Sequence, residues 1–277
     1  MRSYLILRDL FPQWVIDQGL ISSGSPVAIY LRFFEFISYR AADIIGLQSP
    51  ENKNWFSARN LSSKPIEVLF NWARMDPIVG MGDSWRKALR LEGKVVFFYG
   101  GNIGPAQDMK NIAILAKNML QYSNAHFLLV GSGAEVEILM EMKENDRLTN
   151  FSVLLAVDQA EYRKMLAEFD VGLFCLHRDH TTHNFPGKLL EYVNQSKPIL
   201  GCVNPGNDLK LIVEEAGGGY ISFTGDDKSL FENAVRLLSD PDVRCKLGKN
   251  GNNLLNDVFS VKKASDQILK HVLVNVK

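Results

Sequence analysis

The chain has 277 residues, of which 46% are hydrophobic and 22% charged, as expected of a globular protein with a substantial core. Its 31 lysines and arginines balance its 31 aspartates and glutamates. The basic surplus typical of nucleic-acid-binding proteins is therefore absent, and no nucleic acid is expected as a partner. Cys175, Cys202 and Cys245 show no metal-ligand spacing, which argues against a zinc site or a disulfide framework and favours a reducing compartment.

The first third of the chain alternates between short apolar runs and amphipathic segments. Strands are predicted at residues 3–7, 43–47 and 66–70, and helices at residues 14–18, 27–42 and 50–59. This β-α-β-α-β order predicts a doubly wound α/β fold. Residues 1–7 lack the pattern of a signal peptide, and the first predicted strand already begins at residue 3.

The predicted helix at 27–42 is unusually aromatic. Its rings belong to Tyr30, Phe33, Phe34, Phe36 and Tyr39. Arg32, Glu35 and Arg40 interrupt the apolar pattern, so the segment is not a bilayer-spanning helix. Packing into the core is the favoured interpretation, and peripheral contact with an anionic membrane is the alternative, because arginines flank the rings.

Residues 71–92 interrupt the alternation with turn-forming residues, so we place the domain boundary here. The pattern then resumes, with strands predicted at 95–99, 126–130, 151–155, 171–176, 198–202 and 219–222. The helices between and after them are predicted at 106–120, 133–145, 159–168, 186–195, 207–216, 227–239, 241–255 and 262–274. Short apolar strands joined by amphipathic helices predict a parallel sheet covered on both faces.

Two glycine-rich turns follow apolar strands in this second part. Gly100 and Gly101 end the first run, and Gly131 and Gly133 end the second. Open parallel sheets bind ligands beyond the carboxyl ends of their strands, where glycines let backbone N–H groups approach a phosphate. Each turn alone is as well explained by turn geometry, but two of them one βα unit apart favour a phosphate site.

The third motif reads His-Asn-Phe-Pro-Gly-Lys-Leu-Leu-Glu-Tyr over residues 183–192. Pro186 is suited to opening a helix, which places Lys188 in the first turn and Glu191 one turn later on the same face. A lysine at a helix N-terminus can bind phosphate oxygens, and a nearby carboxylate can accept hydrogen bonds from a ribose diol. A solvated Lys–Glu pair on a surface helix explains the same spacing without any ligand.

This motif resembles the donor-binding signature of the family 4 retaining glycosyltransferases, with Lys188 at the motif lysine and Glu191 at its second glutamate. Further likenesses are the loop 7–12, the glycine turns at 98–102 and 129–133, the strand 169–173 and the stretch 196–199. The resemblance implies a GT-B fold, meaning two Rossmann-like domains with parallel sheets. It places an incomplete N-terminal, acceptor-side domain at 1–76 and a nucleotide-sugar-binding domain at 77–258. It also implies that a helix at 259–277 crosses back to the N-terminal domain.

The chain departs from the family pattern at three positions and in its length. His183 stands where the family has its first glutamate, and Asn102 and Gln107 stand where it has an arginine and a lysine. The diphosphate would then rely on backbone amides and Lys188, with Lys110 or Arg178 as further candidates. The pattern resembles the L-fucosamine transferases of O-antigen biosynthesis, and relative to the family the front of the N-terminal domain is expected to be missing.

The resemblance implies a hexosyltransferase that uses a nucleotide-sugar donor. A UDP-linked donor is expected, with an N-acetylated deoxy sugar as one candidate for the sugar. The implied catalytic residues are His183, Lys188 and Glu191. The implied donor-binding residues are Gly100, Gly101, Asn102, Gly131, Gly133, Lys188 and Glu191. No cofactor and no metal are expected, and the expected acceptor is a glycan or lipid-linked glycan. The expected location is the cytoplasm, with peripheral contact at the inner face of the cytoplasmic membrane as an option.

Three other functions stay open at this stage. The first is a non-catalytic nucleotide-sugar-binding remnant, which would bind without turnover. The second is a GT-B sugar-nucleotide 2-epimerase. The third, a nicotinamide dehydrogenase, is disfavoured because neither glycine turn spells the full GxGxxG fingerprint.

Overall fold

The computed structural model describes residues 2–17, 19–59, 61–75, 82–179 and 186–272. The described residues form two parallel sheets with helices packed against them, which confirms the predicted α/β fold class. The strands are β1 (Tyr4–Leu7), β2 (Ile44–Leu47), β3 (Ile66–Val68), β4 (Val95–Asn102), β5 (Ala125–Ser132), β6 (Phe151–Leu154), β7 (Val171–Cys175), β8 (Ile199–Val203) and β9 (Gly219–Phe223). The first sheet has the order β1-β2-β3 and the second the order β6-β5-β4-β7-β8-β9.

Twelve helices connect or follow these strands in the described part of the chain. They are α1 (Gln13–Asp17), α2 (Pro26–Ala41), α3 (Pro50–Ala58), α4 (Ser84–Ala88), α5 (Lys110–Asn118), α6 (Val136–Asn145), α7 (Gln159–Glu168), α8 (Lys188–Asn194), α9 (Leu209–Glu215), α10 (Asp227–Ser239), α11 (Pro241–Asp257) and α12 (Val261–Val272). Two predicted helix starts were wrong by several residues. Helix α5 begins only after a 3-10 turn at Pro105–Gln107, and α6 begins three residues after Gly133, because the strands extend through the glycine turns.

The larger sheet carries most of the core. Along β4, alternate side chains enter opposite faces: Phe97 and Tyr99 join one apolar cluster, and Val96 and Phe98 join the other. All four are fully buried. Burial of each large side chain contributes about 1.5–3 kcal/mol, so this strand anchors both layers of helices. Strand order reverses between β4 and β7, which is where an open α/β sheet forms a ligand crevice.

The aromatic residues of helix α2 are mostly exposed, whereas the favoured prediction had them packed into the core. Ser25 caps its N-terminus and Pro26 opens it, but only Ala28 and Tyr39 are buried. Tyr39 packs against Phe56 of α3, which turns the apolar side of the helix outward. Seven residues, 43–62% exposed, form what we call the aromatic face of α2: Val27, Ile29, Tyr30, Phe33, Phe34, Phe36 and Ile37.

The C-terminal helix α12 contacts the smaller sheet. The Gln267 Nε2 donates to the Val68 carbonyl at 2.7 Å, and His271 Nε2 lies 3.0 Å from Glu67 Oε2. The chain passes between the sheets at a bridge joining Ala73 and Ser260. The exact domain boundaries at 76 and 258 stay predictions.

Candidate functional site

A cavity of about 480 Å³ opens at the carboxyl ends of β4 and β5, beside the reversal point of the larger sheet. Its walls come from both glycine turns, the β6–α7 loop, α7 and the start of α8. The lining residues are Gly100, Gly101, Val130, Gly131, Ser132, Ala156, Val157, Gln159, Tyr162, Gly187, Lys188 and Glu191. The fold thus brings the two glycine turns and the lysine and glutamate of the third motif into one place.

Lys188 is the first residue of α8 and points across the end of β4. Its Nζ lies 3.6 Å from the centre of the Tyr99 ring, a cation–π contact, and a Cβ added at Gly101 would lie 3.4 Å from it. Burial of the ammonium lowers the pKa of Lys188 to about 7. Lys188 forms no ion pair with any residue that the structure describes, so its charge is available to an anion in the cavity.

Glu191 follows one helical turn after Lys188, but the two side chains do not pair with each other. Its Oε1 lies 3.7 Å from Nη2 of Arg163. Its Oε2 is buried and has no hydrogen-bond partner among the described residues. Buried carboxylate oxygens are rarely left without a donor, so this atom has unused capacity to accept a hydrogen bond.

Gly100 and Gly101 lie within the last residues of β4 rather than in a separate turn, and their surroundings differ. A Cβ at Gly100 would lie 2.1 Å from the Tyr162 ring, and the Gly100 N–H donates to the Tyr192 hydroxyl at 3.3 Å. That amide is therefore occupied in this structure, and donor binding by Gly100 stays a prediction. Gly101 has φ +127°, which favours glycine and lets Lys188 approach.

The second glycine turn packs directly against the first. A Cβ at Gly131 would lie 1.8 Å from the Gly101 carbonyl oxygen, and one at Gly133 would lie 2.2 Å from the Ile103 carbonyl oxygen. Both glycines are thus required by backbone contact, whatever the ligand. Gly131 also lines the cavity, whereas Gly133 is not among the lining residues.

The two amides that replace the family's cations are joined to each other. Asn102 Nδ2 donates to Gln107 Oε1 at 3.1 Å. Arg178 lies 3.9 Å from Asp108, and within the described part of the chain neither Arg178 nor Lys110 lines the cavity. Lys188 is consequently the one cation among the described residues that line it. His183, the third predicted catalytic residue, lies outside the described residues.

The sequence did not single out three residues around the cavity: Gln159, Tyr162 and Arg163. All are on α7, whose start follows β6 at the same edge of the sheet. Their only signal was position, since helices that follow parallel strands begin at the ligand-binding edge. Asp170, part of the family likeness, is instead structural, because it accepts from the Val96 N–H at 2.7 Å and from Arg86 at 2.6 Å.

Comparison with known families decides the membership of the chain. Residues 82–254, more than half of it, match the model described as glycosyl transferases group 1. The chain belongs to this family. The matched range of this group 1 glycosyl transferase contains both glycine turns, α7, Lys188 and Glu191.

Individual relatives are distant and longer. The chain is 24% identical over 220 residues to the probable glycosyltransferase WbjE of Pseudomonas aeruginosa, covering 78% of this chain and 54% of the relative. It is 26% identical over 276 residues to the alpha-1,3/1,6-mannosyltransferase ALG2 of Dictyostelium discoideum, covering 94% and 62%. The chain thus spans only part of the length of these curated relatives.

Solved structures show the fold. A crystal structure of Anabaena Alr3699/HepE, in complex with UDP and glucose, superposes with a TM-score of 0.80 at 15% identity, covering 99% of this chain and 72% of that one. The structure of WaaG, a glycosyltransferase involved in lipopolysaccharide biosynthesis, gives a TM-score of 0.76 at 12% identity, covering 96% and 74%. The GT-B-like α/β architecture with parallel sheets is thereby confirmed. Among the described residues, no helix is both long and apolar enough to cross a membrane.

Proposed function

We propose that this chain is a glycosyltransferase that moves a sugar from a nucleoside diphosphate donor to a hydroxyl group. One observation carries the proposal: a lysine with a lowered pKa faces a glycine-lined cavity and has no acidic partner in the described structure. A buried ammonium without a counter-ion is unfavourable, and a diphosphate supplies the missing negative charge. Membership of the group 1 family supports the same chemistry.

The cavity suggests a role for each group. The diphosphate lies against Gly101 and Lys188, the ribose diol donates to Glu191 Oε2, and the base lies along the wall formed by Val157, Gln159 and Tyr162. When the bond to the sugar breaks, negative charge grows on the departing diphosphate. Lys188 is placed to offset that charge, which is the main catalytic contribution expected of such a site. His183 is proposed to face the donor sugar.

The finer assignments rest on resemblance and on relatives. We propose a UDP-linked donor, because a structure of similar fold is described in complex with UDP. An N-acetylated deoxy sugar and a bacterial surface-polysaccharide acceptor follow from the likeness to L-fucosamine transferases. WbjE and WaaG, the latter involved in lipopolysaccharide biosynthesis, are consistent with this assignment. The proposed location is the cytoplasmic face of the membrane, contacted through the aromatic face of α2.

Turnover separates this proposal from a non-catalytic binding protein. The assay measures UDP released from a panel of UDP-sugars, with and without a bacterial lipid extract as the acceptor source. The proposal predicts acceptor-dependent release that falls about 100-fold in Lys188→Met, the size of effect seen when one transition-state contact is removed. Nucleotide binding by the wild-type chain without any release would show a binding protein instead.

A further inference from the structure

Arg163 is the nearest described cation to Glu191, although it does not line the cavity itself. It lies on α7, one residue after Tyr162, whose ring forms part of the cavity wall. Its Nη2 is 3.7 Å from Glu191 Oε1, and the two side chains are 33% and 25% exposed. The contact therefore joins α7 to α8 at the rim of the proposed ribose site.

This geometry divides the Glu191 carboxylate into two different oxygens. Oε1 faces the guanidinium, whereas Oε2 is buried and unpartnered among the described residues. A glutamate side chain has three rotatable bonds, and holding one oxygen in an ion pair limits where the other can point. A ribose diol needs an acceptor oxygen at a fixed position, so this restriction matters for binding.

A second consequence concerns the charge of Lys188. Lys188 and Glu191 are three residues apart on one helix, a spacing at which opposite charges attract each other. In the structure they remain separate, with Glu191 toward Arg163 and Lys188 over Tyr99. The carboxylate thus pairs with Arg163 on α7 and not with the lysine of its own helix.

We infer that Arg163 is a positioning residue that orients Glu191 toward the donor ribose. This inference rests on the proposed function, because it assumes that a nucleotide occupies the cavity. Arg163 acts through Glu191 and does not itself contact the donor.

The test compares the affinities of UDP and 2′,3′-dideoxy-UDP, with the corresponding GDP pair measured in parallel. The wild-type chain should prefer the nucleotide with the intact diol by about tenfold or more, the value of hydrogen bonds to a charged acceptor. In Arg163→Met that preference should collapse, because affinity for UDP falls while affinity for the dideoxy analogue stays the same. Arg163→Lys should recover part of the preference, and Glu191→Gln should lose it.

Lys164→Gln is the matched control, since Lys164 is the next residue on α7 and pairs with Glu161 instead. It should leave the diol preference intact. Full preference in Arg163→Met, or an equal loss of both nucleotides, would overturn the positioning role. A wild-type chain that binds nucleotides without regard to the diol would also overturn it. A wild-type chain that binds none of the four nucleotides would overturn the proposed function itself.

Discussion

The Lys188 ammonium is buried, so it is poorly solvated and would attract an anion in the cavity strongly. The Tyr99 ring offers some compensation for lost water, but no described carboxylate pairs with the ammonium. The folded-state pKa of about 7 lies below the usual value of 10.5. Between these two values the unfolded chain binds more protons than the folded one, so the free energy of unfolding rises with pH across that window.

Lys188→Met should therefore stabilise the free protein at pH 6.5, by about 1–4 kcal/mol, because an apolar side chain removes the burial cost of the charge. The gain should shrink as the pH rises from 7 toward 10, where the wild-type lysine becomes neutral. Urea unfolding of both proteins at pH 6.5 and 9.5 measures this. A variant that is less stable than wild type at pH 6.5 would mean that Lys188 has a stabilising partner in the fold.

The glycines that line the cavity differ in how much space surrounds them. A Cβ at Gly131 would lie 1.8 Å from the Gly101 carbonyl oxygen, whereas a Cβ at Gly187 would meet nothing within 4 Å. Both residues line the same cavity, and Gly187 has ordinary helical backbone angles. Substituting each of them by alanine therefore separates the steric effect of an added methyl group from its effect on the entropy of the unfolded chain.

Gly131→Ala should cost about 1–3 kcal/mol or more in unfolding free energy, because two strand ends must separate to admit the methyl group. Gly187→Ala should be neutral or stabilising by about 0.4–1 kcal/mol, through loss of unfolded-chain entropy. Thermal unfolding of the two variants measures both effects. Equal destabilisation by the two substitutions would contradict the contact model.

At the scale of elements, the sequence predicted most strands, helices and the layer order, because short apolar runs and amphipathic segments alternate clearly. It located Lys188 and Glu191 at the start of one helix from Pro186 and the residue spacing. It could not show that these two side chains do not pair with each other, because Glu191 pairs instead with Arg163 of α7. The outward-facing aromatic side of α2 was the disfavoured alternative, because periodicity marks an apolar face without stating what covers it.

Helix α12 is held on the smaller sheet by polar contacts that centre on Glu67. Burial tends to raise the pKa of this carboxyl, but hydrogen bonds from Tyr4, Gln267 and His271 outweigh it, and the net pKa is lowered. A carboxyl with a lowered folded-state pKa stabilises the fold above its unfolded pKa and loses that contribution as the pH falls.

Glu67→Gln should lower the free energy of unfolding by about 1 kcal/mol at pH 7, the size expected for a partly exposed hydrogen-bonded charge. The difference should fade below about pH 4, where the wild-type carboxyl is protonated. Glu232→Gln, which removes an exposed 3.9 Å pair with Lys228, serves as the control and should change little. A pH-independent effect of Glu67→Gln would rule out the charge as its source.

At the scale of the molecule, the cavity and the aromatic face of α2 lie on different sheets. Contact between the halves is made by α12 and by Asp208, which accepts the Glu51 N–H at the start of α3 at 2.9 Å. A cluster of exposed aromatic residues on one helix is unusual for a free surface and typical of an interaction surface. We propose that this surface meets the membrane.

Phe33→Glu combined with Phe36→Glu should reduce co-sedimentation with vesicles of phosphatidylglycerol and phosphatidylethanolamine several-fold, since both apolar insertion and charge attraction are weakened. Thermal stability should change little, because both side chains are more than half exposed. Leu155→Glu, at an 82% exposed position directly after β6, is the control and should leave sedimentation unchanged. Unaltered vesicle binding by the double variant would contradict the proposal that α2 contacts the membrane.

The central claim is that the cavity at the ends of β4 and β5 is a nucleoside diphosphate site whose charge partner is Lys188. Isothermal titration of UDP, GDP, ADP and NADH into the wild-type chain and Lys188→Met tests it most directly. The account predicts binding of one diphosphate nucleotide, weakened about tenfold per pH unit above pH 7 as Lys188 loses its proton, and lost in Lys188→Met. Binding that persists unchanged in Lys188→Met, or a folded wild-type chain that binds none of these nucleotides, would contradict it.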